Sequence, residues 1–311
     1  MRILIIMDSI EQADLNKDTS VGFILAAQTL EYPVYYCNQE HLFVEDGRGA
    51  ALCAPLRLHP DSEDAIELGP WAPAGLSEFD TIWMRKDPPV DRAYLHASHI
   101  LDMAGSALVV NSPSGIRFAN EKLYAQVFPE FCPPTYVSRD IQSLLIKIRA
   151  SSQPTVVKPV DGHGGAGVFV LSPDDRNAAS VLETLTENGR RWVVSQTYIP
   201  AARTGDKRII MLNGELQGAI IRVPQNLDHR GNIHVGGTVQ SVELTDRDLE
   251  ICRAVGPRLR ADGLWFVGLD IIGDYLTEIN VTSPTGIREI QSLTGRDVGL
   301  SYVKWVQQQL K

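Results

Sequence analysis

Three side chains in one short segment have the chemistry of a metal site. In Asp270-Ile-Ile-Gly-Asp-Tyr-Leu-Thr-Glu-Ile-Asn280 an aspartate precedes a glutamate and an asparagine that are two residues apart. Hard divalent cations take oxygen ligands, and Mg2+ is commonly held by one or two carboxylates while substrate phosphates complete its octahedron. Residues 264–272 are apolar and rich in Trp, Phe, Val and Ile, which reads as a strand, and Gly273-Asp274 reads as a turn. In the returning strand the period of two puts Glu278 and Asn280 on one face. Register decides whether Asp270 joins them. A two-residue turn with regular pairing sets Asp270 opposite Thr277, on the wrong face; a three-residue loop over 273–275, or an equivalent bulge, sets it opposite Glu278. We expect the three-residue register. The bland reading of the segment alone is a surface hairpin whose acids face water.

Cations recur around this segment. Thr155-Val-Val-Lys158-Pro159 reads as a strand, residues 161–167 as a loop with glycines at 162, 164, 165 and 167, and residues 168–171 as a second strand. A dinucleotide fingerprint or Walker loop leads from a strand into a helix, so neither is present. A glycine hairpin can still fold its backbone N–H groups over a triphosphate, with Lys158 adding charge close by. We expect it, with the polar stretch 225–237, to be a lid that is poorly ordered until nucleotide binds. Asp206-Lys207-Arg208 opens an apolar strand, Asn213-Gly214 turns it, and the strand back carries Arg222. Arg230 lies in the long connection that follows, long enough to be an active-site loop. His96, His99, His229 and His234 have no zinc-site spacing.

The elements that must position these groups divide the chain. Residues 3–7 read as a strand, a helical stretch opens at Thr19-Ser20, and residues 34–37 and 79–84 read as further strands of an open α/β unit. The last ends in Arg85-Lys86-Asp87-Pro88-Pro89, where prolines stop regular structure. Ligands of such folds collect beyond the carboxyl ends of strands, so Arg85 and Lys86 are candidates for an anionic substrate, against the alternative of a solvated turn. Val109-Val110-Asn111-Ser112-Pro113 repeats the pattern. Asn120-Glu121-Lys122 opens a new helix and marks a boundary between residues 1–119 and 120–311. Thr245 with Asp248 has the form of a capping box before a core-facing helix.

With 311 residues, 44% of them hydrophobic, the chain can bury more than one core. A net charge of −9 argues against a general nucleic-acid binder. The four cysteines lie far apart beside apolar neighbours and read as reduced, packed thiols. No apolar run approaches the roughly 18 residues of a membrane span, and the first strand is too short for a signal-peptide core. The expectation is a cytoplasmic protein with no membrane contact.

In order along the chain, these motifs are Asn-Glu-Lys122, Val-Lys158-Pro with Asp-Gly-x-Gly-Gly, Gln196-x-Tyr198-Ile-Pro, Gly-Asp206-Lys-Arg208, Arg222-Val-Pro-Gln and Arg-Gly-Asn232. They continue with Phe-Val-Gly-Leu-Asp270-Ile-Ile-Gly and Thr-Glu278-Ile-Asn280-Val-Thr-Ser-Pro-Thr. Together they resemble the bacterial glutathione synthetase family of the ATP-grasp superfamily, and Met-Asp8 with the Met84-Arg85-Lys86-Asp87 run extends the likeness to the first part of the chain. The resemblance implies an open α/β substrate domain at 1–119, then a two-lobed ATP-grasp fold with a central lid of about 120–195 and a catalytic lobe of about 196–311. It implies ATP-dependent joining of γ-glutamylcysteine to glycine through an acyl phosphate, giving ADP and phosphate, in a homo-oligomer, a tetramer by that likeness. It places nucleotide at Lys122, Lys158, Gly164, Gly165, Gln196 and Tyr198. Two Mg2+ ions, or Mn2+ in their place, would sit on Asp270, Glu278 and Asn280. Arg208, Arg222 and Arg230 would steady the acyl phosphate and its oxyanion, and Arg85 and Arg288 the substrate carboxylates. Family members can carry cysteine at the positions of Ala119 and Gly286, but the chemistry needs no thiol. Two alternatives stay open: a ligase of this superfamily for another peptide or amino acid, and a non-catalytic ATP-binding regulator.

Overall fold

The computed structural model describes residues 1–62, 64–224 and 238–311. Its first sheet contains, among the described residues, β1 (Ile3–Ile6), β2 (Val34–Cys37), β3 (Leu42–Glu45), β4 (Arg48–Leu58), β5 (Ile66–Leu68), β6 (Ala72–Gly75), β7 (Thr81–Met84) and β8 (Leu108–Val110). Strands β2, β1, β7 and β8 lie side by side in parallel, the expected open α/β unit. Helix α1 (Thr19–Thr29) starts one residue later than its cap, Asp18, whose carboxylate accepts from the Ser20 and Val21 N–H groups. Helices α2 (Arg92–Leu101) and α3 (Pro113–Phe118) complete this part. The antiparallel annex of β3, β5 and β6 on β4 was not anticipated, because Pro55 and small residues blur the alternation of β4.

The second sheet is antiparallel, with β9 (Thr135–Ser138), β10 (Thr155–Pro159), β11 (Phe169–Leu171) and β12 (Val193–Thr197) in the order β11-β10-β12-β9. It is preceded by α4 (Glu121–Ala125), capped by Asn120, and packs on α5 (Ile141–Arg149) and α6 (Ala178–Leu185) around Leu144, Ile148, Val157, Leu182 and Val193. The glycine segment connects β10 to β11, strand to strand, as its flanking residues required.

The third sheet is also antiparallel. It holds β13 (Asp206–Leu212), β14 (Glu215–Val223), β15 (Thr238–Ser241), β16 (Phe266–Ile272) and β17 (Tyr275–Asn280), ordered β15-β14-β13-β16-β17. Helix α7 (Asp246–Ala261) carries the expected capping box, Thr245 with Asp248, and buries Ile251, Cys252, Val255 and Leu259 against one face of the sheet. The other face carries the polar residues described below.

The end of the chain returns to its beginning. Helices α8 (Ile287–Thr294) and α9 (Val298–Gln309) share one apolar core with α1 and the first sheet, where Tyr302 stacks on Phe23 with ring centroids 4.0 Å apart. Phe266, at the start of β16, lies edge-on to the same Phe23. Asn111, at the end of β8, adds polar ties: its amide donates to the carbonyls of Phe266 and Val281 at 2.8 and 2.7 Å and accepts from Phe266 N–H at 2.8 Å. A buried amide bonded this fully fixes where the β16–β17 hairpin sits. All four cysteines are buried and unpaired with one another. No helix among the described residues is long and apolar enough to cross a membrane.

Candidate active site

The residues of interest form rows across one face of the third sheet. In register, Ile220 faces Arg208, Arg208 faces Asp270, and Asp270 faces Glu278; one step along, Arg222 faces Asp206. Directly opposed residues on adjacent strands share a face, so strand pairing alone gathers two arginines and three acids. Gly268 faces Asn280 in the neighbouring row. A Cβ on Gly268 would lie 3.0 Å from the Arg208 side chain and 3.0 Å from Pro284, so the glycine makes room for that guanidinium.

The hairpin achieves this register differently from expectation. Ile272 pairs with Tyr275, so the turn is the two residues Gly273 and Asp274, not a three-residue loop. Gly273 takes φ +57°, the positive value that primed hairpin turns demand. The register then shifts between Asp270 and Ile271, leaving Thr277 as the extra residue of a bulge, and its hydroxyl donates to the Asp270 carbonyl at 3.0 Å. The bulge turns Asp270 to the face of Glu278, the outcome the alternative route allowed.

Arg208 grips Asp270 with two bonds, Nε to Oδ1 at 2.6 Å and Nη2 to Oδ2 at 3.0 Å. Arg222 does the same to Asp206, at 2.9 and 2.5 Å, and its Nη2 also lies 3.1 Å from Asp270. Burial pushes the Asp270 carboxyl up, but the two arginines outweigh it and hold it well below the usual carboxylate range. Asp206 goes the other way: burial, with the nearby Asp270 charge, raises it against the pull of Arg222. Arg222 itself is held firmly charged, because Asp270 and Asp206 overcome the cost of its burial.

Across the cleft the second sheet supplies Lys158 from β10, whose Nζ is 3.1 Å from Glu278. Lys122, from α4, lies 3.5 Å from the same carboxylate and donates to the Gly162 carbonyl. Burial raises Glu278, yet Lys122 and Lys158 prevail and lower it. Asn280 donates from Nδ2 to the Gly268 carbonyl at 3.2 Å, so Oδ1 is the atom of this amide that could take a cation. Gly164 and Gly165 both have positive φ, +61° and +78°, and a Cβ on Gly164 would meet nothing within 4 Å. Gln196 is buried in β12 and donates to Thr135 Oγ1 at 2.9 Å, and Tyr198 follows at the strand end.

The substrate-side arginines are placed unequally. Arg85 is 5% exposed; its Nε donates to Ser20 at 3.1 Å, its Nη2 to the Pro284 carbonyl at 3.1 Å, and its guanidinium lies over Phe23 and Phe266. It therefore braces the loop after β17. Arg288, in α8, donates to the Asn16 carbonyl at 3.3 Å. Gly286, beside it, takes φ +125°, where any side chain would be strained. Arg230, His229, His234 and the rest of the expected lid stretch 225–237 lie outside the described residues.

Sequence reading gave no role to two residues that the site uses. Asp206 was visible only as part of a motif; its pairing with Arg222 requires the register. Glu121 stands in the sequence as part of a helix start, and in the fold its carboxylate accepts from the N–H and hydroxyl of Thr282 and the N–H of Val281, tying α4 to the end of β17. Burial and the Glu278 charge raise its carboxyl.

Two carboxylates and an amide oxygen suit a hard cation that takes its other ligands from phosphate. Among the described residues no group of three or more His, Cys, Asp or Glu is placed to hold a metal ion.

Comparison with known proteins agrees with the geometry. Residues 1–117 match the N-terminal domain, and residues 121–295 the ATP-grasp domain, of the prokaryotic glutathione synthetase family. The glutathione synthetase of Thermosynechococcus vestitus is 44% identical over 98% of this chain and 99% of its own length, and that of Pseudomonas putida 40% identical over 100% and 99%. Among solved structures, D-cycloserine synthetase DcsG superposes with a TM-score of 0.69 over 99% of this chain and 100% of its own, at 15% identity. The ATP-grasp ligase PsnB, solved with a phosphomimetic precursor, Mg and ADP, gives 0.64 over 99% and 98%, at 16% identity. The fold is that of ATP-grasp ligases, which use ATP and a divalent metal such as Mg2+. The chain belongs to the prokaryotic glutathione synthetase family of ATP-dependent ligases.

Proposed function

We propose that this chain joins γ-glutamylcysteine to glycine at the expense of ATP. The observation that carries the mechanism is the row Arg208–Asp270–Glu278, which puts phosphate-seeking cations and metal-seeking oxygens on one sheet face with two lysines opposite. Lys122 and Lys158 leave Glu278 for the nucleotide phosphates, and the glycine loop, Gly164 and Gly165 included, covers them. Gln196 and Tyr198 border the base. Asp270, Glu278 and Asn280 would hold Mg2+, two ions in this reading, and the metal would supply charge neutralisation for the phosphates.

The cysteinyl carboxylate of the donor takes the γ-phosphoryl group, ADP departs, and an acyl phosphate remains. The glycine amine then attacks the acyl carbon, and the resulting tetrahedral oxyanion collapses with loss of phosphate and of a proton from nitrogen. Arg208 and Arg222, with Arg230 from the segment outside the described residues, meet the charge that develops in those steps. Their fixed guanidiniums need no reorganisation at that moment. Arg85 and Arg288 serve the substrate carboxylates, Arg85 in part through the loop it braces. The reading includes a homotetramer and a lobe division at 119/120 and about 195/196.

The test is ADP release with γ-glutamylcysteine and glycine, against alanine, serine and other amines, with the product identified by mass. Turnover that requires glycine and yields glutathione is expected. Faster turnover with a different donor or amine would move the chain to another ligase substrate, and ATP binding without any turnover would make it a regulator.

A further inference from the structure

Beyond the arginines and lysines of the cleft, one opposite-charge pair stands at the carboxyl ends of adjacent parallel strands. Strands β1 and β7 pair with Ile6 beside Met84, so the residues just after them, Asp8 and Lys86, emerge together. Lys86 Nζ lies 2.8 Å from Asp8 Oδ1 and donates to the Asp87 carbonyl at 3.0 Å. Asp8 Oδ2 accepts the Asp87 N–H at 3.1 Å. The crevice beyond such strand ends is where open α/β sheets take ligands. An exposed ion pair alone is worth little, and solvent-facing pairs are common. This one is tied to the reacting centre: Asp87 accepts the Ser283 hydroxyl, and Thr285, two residues on, gives its carbonyl to Arg208 Nη1 at 3.1 Å. The loop over 282–285 thus spans from the arginines of the acyl phosphate to the Asp8–Lys86 pair, with Arg85 holding its Pro284.

We infer that Asp8 and Lys86 form a subsite for the free amino-acid head of the donor, Asp8 taking its α-ammonium and Lys86 its α-carboxylate. The inference rests on the proposed donor. In γ-glutamylcysteine the end remote from the reacting carboxylate is a zwitterion, with both charges on one carbon. A side-by-side carboxylate and ammonium present the complementary pair. Asp8 is half exposed and retains lone pairs for an ammonium beyond its two existing contacts, and a lysine has three donors, of which two are used.

The experiment compares three donors with glycine as acceptor: γ-glutamylcysteine, glutarylcysteine, which lacks only the ammonium, and 4-aminobutyrylcysteine, which lacks only that carboxylate. In the unaltered enzyme kcat/KM should fall at least about tenfold for each analogue, the scale of a lost charge-assisted contact. Asp8→Asn should abolish the preference over glutarylcysteine, and Lys86→Met the preference over 4-aminobutyrylcysteine, with the KM for ATP within about threefold of the parent in both. Preferences that persist in the variants overturn the subsite, as does equal loss with all three donors. Failure of the unaltered enzyme to use γ-glutamylcysteine at all would instead overturn the proposed function.

Discussion

The two halves of the cleft hold their charges in different ways. In the third sheet each arginine grips an aspartate with two bonds, through Nε and Nη2 along one edge of its guanidinium, and each pair is set by strand register. Opposite, two lysines from separate elements, α4 and β10, converge on the single carboxylate of Glu278 with one contact each. A forked pair with two bonds between buried side chains on neighbouring strands is held in one orientation more firmly than by a single contact. An ammonium on a flexible stem can leave its partner and follow a phosphate. The difference supports the proposed division, the arginine half meeting charge that appears during reaction and the lysine half charge that arrives with the nucleotide.

Removing one member of each half breaks the comparison most directly. Arg222→Ala should lower kcat by about two orders of magnitude or more while ATP affinity changes much less. Lys158→Ala should raise the KM for ATP by roughly tenfold, with a smaller effect on kcat, because a single phosphate contact has been lost. Steady-state kinetics at saturating donor and glycine separate the two; equal effects of both changes on KM alone would erase the distinction.

A smaller effect tests the support of the fork. Asp206→Asn keeps the shape but removes the charge opposite Arg222, so kcat should fall by roughly tenfold with the KM for ATP little changed, and Asp206→Glu should recover part of the loss. An unchanged kcat would mean that Asp270 alone positions Arg222.

The smallest effect is on stability. Asp270 and Glu278 are both lowered in the folded protein, so the stability they contribute is complete above the unfolded carboxylate value of about 4 and is lost as pH falls below it toward their folded values. Asp206, raised by burial, works in the opposite sense and costs stability as pH rises through its folded value. Glu278→Gln should therefore lose less stability than the parent between pH 6 and pH 3, read as urea midpoints without ligand. Parallel pH dependences would show that the lysines do not hold Glu278 in solution.

Much of the site was legible before any fold was known because its parts are local. Thr155 to Pro159 and residues 168–171 around four glycines, Asn213-Gly214, Thr245 with Asp248, and the alternation of Glu278 with Asn280 all concern neighbours in sequence, where propensity and period act. Less legible were the annex on β4, whose alternation is blurred, and the exact turn of the β16–β17 hairpin. The loop and the bulge give Asp270 the same facing through different backbones, and a period-two pattern cannot tell them apart.

By itself the sequence determined the inventory: two acids and an amide for a cation, lysines and arginines for phosphate, and strands with the periods to carry them. Tertiary structure alone decided who meets whom. Lys158 reaches Glu278 across 120 residues of chain, Arg208 reaches Asp270 across 62, and α9 returns to pack on α1. Such contacts depend on register and on how sheets stack around shared apolar cores. A shift of one residue in pairing turns a side chain to the opposite face, and no local pattern in the chain records that choice.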